Sequence, residues 1–150
     1  MKVIGIDQAS HTGFAVLDGS DLTRSGTVVF KGTQGKRLSE FLNWLRSLIR
    51  EEVPDLVTYE KPHFRGYAAT INGSAMIGLI ELVCFESGIP TMAVHSATLK
   101  KAASGYGKAK KGVMTKMANL VMGLDLTTAE NNDEADAIHL AIYGGKNFGK

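Results

Sequence analysis

Cysteine is almost absent from the sequence, which has one, Cys84, among 150 residues. A lone thiol excludes an internal disulfide, so we expect a protein of a reducing cytosol with Cys84 buried in its apolar run. Apolar stretches approaching the ~20 residues of a membrane helix are also lacking, which predicts no membrane partner. The single Lys2 before a short strand-like run is not typical of a secretory signal.

Acidic residues are missing from residues 87–124, although the whole chain has a net charge of only +2. Six lysines lie in this segment, namely Lys100, Lys101, Lys108, Lys110, Lys111 and Lys116. A segment with only positive charges suits a polyanionic partner. The lysines alone would also be consistent with a solvated surface that binds no partner.

Repeats, low-complexity tracts and linkers are lacking too, so we predict a single α/β domain over residues 1–150. Hydrophobic spacing and turn residues predict five strands and five helices. The predicted strands are residues 3–7, 12–17, 22–30, 55–60 and 91–94. The predicted helices are residues 36–52, 70–87, 97–103, 113–122 and 133–143, the last capped by Asn131 or Asn132.

Two of the predicted strands end in an acid, Asp7 and Glu60. Because strand ends in a sheet flanked by helices line a common crevice, we expect these carboxylates to be neighbours. Asp133 and Asp136, three residues apart in the last helix, share a face. Asp133 alone is typical of a helical first turn, but Asp136 between two alanines predicts a buried charge that needs compensation.

Clustered carboxylates need a cation, and their oxygens suit Mg²⁺, for which Mn²⁺ substitutes. Zinc is not expected, because Cys84 and the four scattered histidines lack ligand spacing. Two hard cations in one site form a recurrent device for phosphodiester hydrolysis. A nucleic acid would also account for the lysine-rich segment. A nucleotide cofactor is not expected, because the chain lacks a second glycine-rich phosphate turn.

Four motifs follow one another along the chain, namely GIDQASHTGFAV, DLVTYEK, VHSATLKKAASGYGKAKKGVM and DEADAIHLAIYG. In this order they resemble the motifs of RuvC-type Holliday-junction resolvases. The resemblance implies an RNase H-like fold, with a mixed five-stranded sheet of an antiparallel meander followed by parallel strands, flanked by helices. It implies a crossover junction endodeoxyribonuclease that cuts opposing strands of four-way DNA as a homodimer in the bacterial cytosol. The matched catalytic and metal-binding acids are Asp7, Glu60, Asp133 and Asp136.

The same resemblance implies roles for residues that contact DNA. Lys100 and Lys111 match basic residues near the scissile phosphate, and Lys111 would offset charge that builds in the transition state. Phe64, with Tyr67, lies where the family has an aromatic wedge, on which base stacking is worth ~1–3 kcal/mol. The helix from Thr70 would form the dimer interface. The predicted DNA contacts are Lys100, Lys101, Lys108, Lys110, Lys111, Phe64, Arg65 and Tyr67.

The sequence also departs from the family pattern and leaves alternatives. Gln8-Ala9 stands where the family has Pro-Gly, and Lys61-Pro62 changes the entry to the wedge loop, which suggests a divergent, phage-encoded member. The alternatives are a related nuclease of ribosomal RNA precursors, an actin-like or sugar-kinase-type ATPase, and a catalytically silent nucleic-acid-binding module. His139 is expected to be packed or on the surface rather than a proton carrier.

Overall fold

The computed structural model describes residues 1–62, 64 and 66–150. Within these residues there are five strands and five helices: three strands come first, α1 and α2 alternate with the last two strands, and three helices end the chain. The strands are β1 Lys2–Asp7, β2 His11–Asp18, β3 Asp21–Val29, β4 Leu56–Glu60 and β5 Thr91–Val94. The helices are α1 Gln34–Glu52, α2 Tyr67–Glu86, α3 Ser96–Ser104, α4 Lys111–Met122 and α5 Thr128–Asn147.

The strands form one mixed sheet in the order β3-β2-β1-β4-β5. The first three pair antiparallel as a meander, whereas β4 joins β1 and β5 joins β4 in parallel. Parallel neighbours need a crossover, and here α1 and α2 supply the two connections. The predicted mixed sheet is confirmed.

The two faces of the sheet bury different side chains, because successive residues of a strand point to opposite sides. On one face, Ile4, Ile6 and Phe14 pack with the aromatic residues of α1. On the other face, Val3 and Ala15 pack against α5. Continuing the alternation places Asp7 and Glu60, the last residues of β1 and β4, on the α5 side of the sheet.

Helix α5 lies directly on the sheet because glycines face it. A Cβ built on Gly13 of β2 would collide with the carbonyl group of Asp133, and one on Gly5 of β1 with the backbone of Ala137. Gly144 of α5 in turn faces Thr58, whose Cγ2 would lie 2.6 Å from an added Cβ. This close approach brings the acidic end of α5 to the ends of β1 and β4.

The start of α5 agrees with the prediction in part. Asn131 has non-helical φ −125° and ψ 17°, and it joins a short helical segment from Thr128, N-capped by Thr127, to the longer segment that follows. Asn131 therefore stands directly before the long segment, as the predicted cap does, and the short segment from Thr128 is the part that was not predicted. The Asn131 Oδ1 accepts a hydrogen bond from Thr127 N at 3.1 Å, and its Nδ2 donates to Glu134 Oε2 at 3.3 Å.

Two further expectations are corrected in the helices. Helix α4 begins at Lys111, which was placed in a loop, and α2 begins at Tyr67, three residues early. Among the described residues, α2 is also long and apolar enough to span a membrane by length and composition, contrary to the expectation that no such stretch exists. Only 28% of the apolar window of α2 is buried, and Met76, Ile80, Val83 and Cys84 belong to this buried part.

Candidate active site

The first two acids of the site lie side by side at the ends of β1 and β4. Ile6 of β1 pairs with Tyr59 of β4 in parallel register, so Asp7 and Glu60 follow at adjacent strand ends. Both are buried. Gln8 fixes this arrangement because its side-chain Nε2 donates to the carbonyl oxygen of Glu60 at 2.9 Å.

The other two acids come from the kinked helix α5. Asp133 follows the kink and lies over Gly13, which pairs with Asp7 across the β1–β2 ladder. Asp136 is one helical turn further along. Since Gly13 links the two elements by direct backbone packing, the separation of Asp133 from Asp7 depends on the absence of a side chain at that position.

All four acids border one cleft of about 110 Å³. The described residues that line this cleft are Asp7, Glu60, Ser96, Lys100, Lys111, Met114, Asn132, Asp133 and Asp136. The structure therefore brings together every acid of the predicted catalytic set and the two lysines singled out with it. Their catalytic roles stay predictions, because geometry alone does not assign them.

The environment of the cleft disfavours the ionised form of one of its acids. Burial, and then repulsion from Glu60 and Asp133, raises the pKa of Asp136 from 3.8 to about 7. The charges of Lys100 and Lys111 act in the opposite direction. A carboxyl with its pKa raised in this way is typical of a site where positive charge is needed to hold the acids ionised together.

The donor set fits hard divalent cations. Four carboxylates on one cleft offer the oxygen ligands that Mg²⁺ and Mn²⁺ prefer. Among residues 1–62, 64 and 66–150, no three Asp, Glu, His or Cys side chains already stand in a ligand arrangement. The fit to a divalent cation therefore rests on the four carboxylate side chains that border one cleft, and not on a formed coordination site.

Those of the remaining predicted DNA contacts that the structure describes lie outside the cleft. Lys101, Lys108 and Lys110 are exposed on α3 and in the connection to α4. Phe64 and Tyr67 are 81% and 80% exposed, which is unusual for aromatic side chains and suits a stacking role. Arg65 lies outside the described residues, and no structural outcome is assigned to it.

Some residues of the cleft were missed by sequence reasoning. Ser96 follows the end of β5, so the rule that strand ends line the crevice could have found it. Asn132, whose Nδ2 donates to Asp133 Oδ1 at 3.4 Å, was interpreted only as a cap. His139 is packed, as expected: its Nε2 lies 2.8 Å from the Met114 carbonyl oxygen, and burial lowers its pKa.

Glu134 has a structural role although it adjoins the catalytic set. It is buried and accepts hydrogen bonds from Ser25 Oγ at 2.6 Å and Asn131 Nδ2 at 3.3 Å. It therefore ties the start of α5 to β3.

Sequence comparisons match this chain to one known family. The sequence model of the family described as "Crossover junction endodeoxyribonuclease RuvC" matches residues 3–144. The RuvC crossover junction endodeoxyribonuclease of Paraburkholderia phytofirmans is 32% identical over an alignment of 160 residues, which covers 97% of this chain and 85% of that protein. The corresponding protein of Thermomicrobium roseum is 28% identical, covering 95% of this chain and 91% of that one.

Solved structures share the fold. RuvC of T. thermophilus in complex with a Holliday junction substrate matches with a TM-score of 0.81 at 23% identity, over 95% of this chain and 91% of that one. The fowlpox virus resolvase, solved with Holliday junction DNA, matches with a TM-score of 0.62 at 15% identity over the full length of both chains.

Proposed function

The chain belongs to the RuvC family of crossover junction endodeoxyribonucleases, and from this premise we propose that it resolves four-way DNA junctions by paired, metal-dependent hydrolysis of opposing strands. The observation that carries the proposal is the single cleft bordered by four acids and two lysines. The family model and the two relatives named above are crossover junction endodeoxyribonucleases. They favour neither the nuclease of ribosomal RNA precursors nor the ATPase.

Asp7, Glu60, Asp133 and Asp136 would hold two Mg²⁺ ions, or Mn²⁺ in their place, in this cleft. When bound, such ions supply charge that activates water and stabilises the leaving 3′-oxygen. Lys100 and Lys111 face the same cleft and attract the scissile phosphate. Lys111, at the first residue of α4, offsets the negative charge that develops on the phosphate oxygens.

Cutting both strands symmetrically requires two sites, and an unpartnered face of α2 supports a homodimer. One side of α2 lies opposite to its buried residues and carries Ile71, Gly78, Leu82 and Phe85, which follow one another at steps of three to seven residues. The Phe85 side chain on this side is 85% exposed. Gly78 has no neighbour within 4 Å that a Cβ would meet, so a second helix can approach closely there. A second copy of this chain is the occupant we propose, because an isologous contact pairs two identical sites.

A cleavage assay tests the function. Purified protein with Mg²⁺ should nick a synthetic four-way junction at symmetric positions and leave linear duplex of the same sequence intact. Asp7→Asn should abolish cutting while retaining junction binding in a gel shift, because it removes a ligand and no cationic contact. Glu130→Gln, an exposed acid on the same helix as Asp133, is the matched control and should cut normally. Hydrolysis of ATP, or cleavage of structured RNA in preference to the junction, would contradict the proposal.

The phage origin, the cytosolic location and the single-domain organisation stay predictions from the sequence.

A further inference from the structure

Hydrogen bonds centred on Glu134 hold the first turn of the long segment of α5. The Glu134 side chain is buried, and it does not line the acidic cleft. Its Oε1 accepts from Ser25 Oγ of β3 at 2.6 Å, and its Oε2 accepts from Asn131 Nδ2 at 3.3 Å. Each oxygen of this carboxylate therefore has a partner of its own, one on the sheet and one at the kink of α5.

A buried carboxylate with such partners is not explained by packing. Burying an acid is unfavourable unless a cation pairs with it, and both side-chain partners of Glu134 are neutral. Within residues 1–62, 64 and 66–150, no ion pair includes Glu134. The start of a helix offsets part of this cost, but apolar side chains in place of the acid and its partners would stabilise the fold equally well. The bonds of Glu134 therefore point to a role other than stability.

The bond to Asn131 fixes the kink directly before the long segment. The Asn131 N–H donates to the Thr127 carbonyl oxygen at 2.8 Å. In a capping box, the acid at the third helical position bonds to the backbone N–H of the cap residue, but here that N–H already has a partner. Glu134 occupies this third position and reaches the Asn131 side chain instead, so it joins the long segment to the short one.

The bond to Ser25 fixes the rotation of α5 about its own axis. At Gly13 the backbone of Asp133 and Glu134 packs on β2, which sets how close the helix lies to the sheet. That contact lies near the axis and resists rotation weakly, whereas a side chain that reaches across to β3 resists it strongly. Successive residues are about 100° apart around a helix, so a rotation that moved Glu134 would also turn Asp133 and Asp136.

We propose that Glu134 is a positioning residue, whose bonds to Ser25 and Asn131 set the rotation of α5. This rotation aims Asp133 and Asp136 into the cleft. The inference rests on the proposed function, because these two acids are assigned there to Mg²⁺. Glu134 contacts neither metal nor DNA, and it acts through its hydrogen bonds and not through its charge.

Glutamine separates hydrogen bonding from charge at this position. In Glu134→Gln, Oε1 can accept from Asn131 while Nε2 donates to the Ser25 hydroxyl, so both bonds persist, whereas Glu134→Ala removes both. Single-turnover cleavage of a four-way junction should be at least about tenfold slower in Glu134→Ala, with junction binding changed by less than about twofold. Glu134→Gln should cut within about threefold of the wild-type rate. Glu130→Ala, which removes an exposed acid from the same helix, is the control and should cut normally.

Calorimetric titration of the metal-free protein with Mg²⁺ is a readout that does not depend on cleavage. The affinity for Mg²⁺ should fall about tenfold in Glu134→Ala and stay near the wild-type value in Glu134→Gln. If Glu134→Ala does not fold, Ser25→Ala takes its place and should lower both the Mg²⁺ affinity and the cleavage rate. Ser25→Thr keeps the hydroxyl group and should lower neither.

A Glu134→Gln protein as impaired as Glu134→Ala would show that the charge is needed, and it would overturn the positioning role. Wild-type Mg²⁺ affinity and cleavage in Glu134→Ala would overturn it too, while junction cutting by the wild-type protein upheld the proposed function. If the wild-type protein cuts no junction but Glu134→Ala weakens Mg²⁺ binding, the positioning role stands and the proposed function falls.

Discussion

Replacing Asp136 with asparagine should stabilise the protein in the absence of metal and at the same time abolish cleavage. Asp136 is held between Glu60 and Asp133, and burial with this repulsion raises its pKa to about 7. Asparagine has nearly the same shape and no charge, so the repulsion disappears. A purely structural carboxylate would behave in the opposite way, because its removal would leave bonded partners unsatisfied.

The magnitude follows from the two pKa values. A folded-state pKa of about 7 against an ordinary value of 3.8 corresponds to a penalty of about 4 kcal/mol on the ionised form. Glu60, Asp133 and nearby solvent relax around the charge, so we expect about 2 kcal/mol of stabilisation in the variant above pH 8. For a chain of this length that is a rise in Tm of about 4–8 °C.

The effect should have a defined pH dependence. Because the pKa of Asp136 is raised on folding, the native state keeps a proton that the unfolded chain releases between about pH 4 and 7. The free energy of unfolding of the wild-type protein should therefore fall relative to that of Asp136→Asn as pH rises through this window. The difference between the two proteins should be absent below pH 4 and constant above pH 8.

Urea unfolding in EDTA at pH 4, 5, 6, 7 and 8 measures this difference. Glu130→Gln, which removes an exposed acid from the same helix, should show no such trend. Added Mg²⁺ should raise the Tm of the wild-type protein and leave that of Asp136→Asn nearly unchanged. A variant less stable than wild type at pH 8, or a difference independent of pH, would refute the reasoning.

Three further outcomes are expected. Gly13→Ala should reduce the cleavage rate at least about a hundredfold, because the new Cβ displaces the carbonyl group of Asp133 and a misplacement of about 1 Å has an effect of this size. An unchanged cleavage rate would contradict this expectation. Lys111→Ala should slow single-turnover cutting more than it weakens junction binding, and weaker binding alone would exclude the transition-state role. Phe85→Glu should shift the protein to a monomer in analytical ultracentrifugation, whereas Leu120→Glu, at another exposed apolar residue, should not; a dimeric Phe85→Glu protein would remove α2 as the interface.

Local pattern was sufficient for most elements of the fold. The alternation in β1 and β4 and the apolar spacing in α1 depend on side chains a few residues apart, and the predicted strands and helices agree with the structure within a few residues. Errors occurred at helix starts, where capping depends on contacts from outside the helix. Asn131 stands before the long segment of α5 as its type predicts, but a short helical segment from Thr128 precedes it, and Glu134 bonds to Ser25 on a distant strand.

The sequence by itself determined that acids stand at the ends of two strands and on one face of the last helix. Their meeting was an inference from strand topology and from the resemblance. Only the tertiary structure decided how close α5 approaches, because that distance depends on Gly13 and Gly144 having no side chain where two elements touch. It alone also brought Ser25 to Glu134, since residues on a strand and a helix far apart in the chain share no spacing that a linear pattern records.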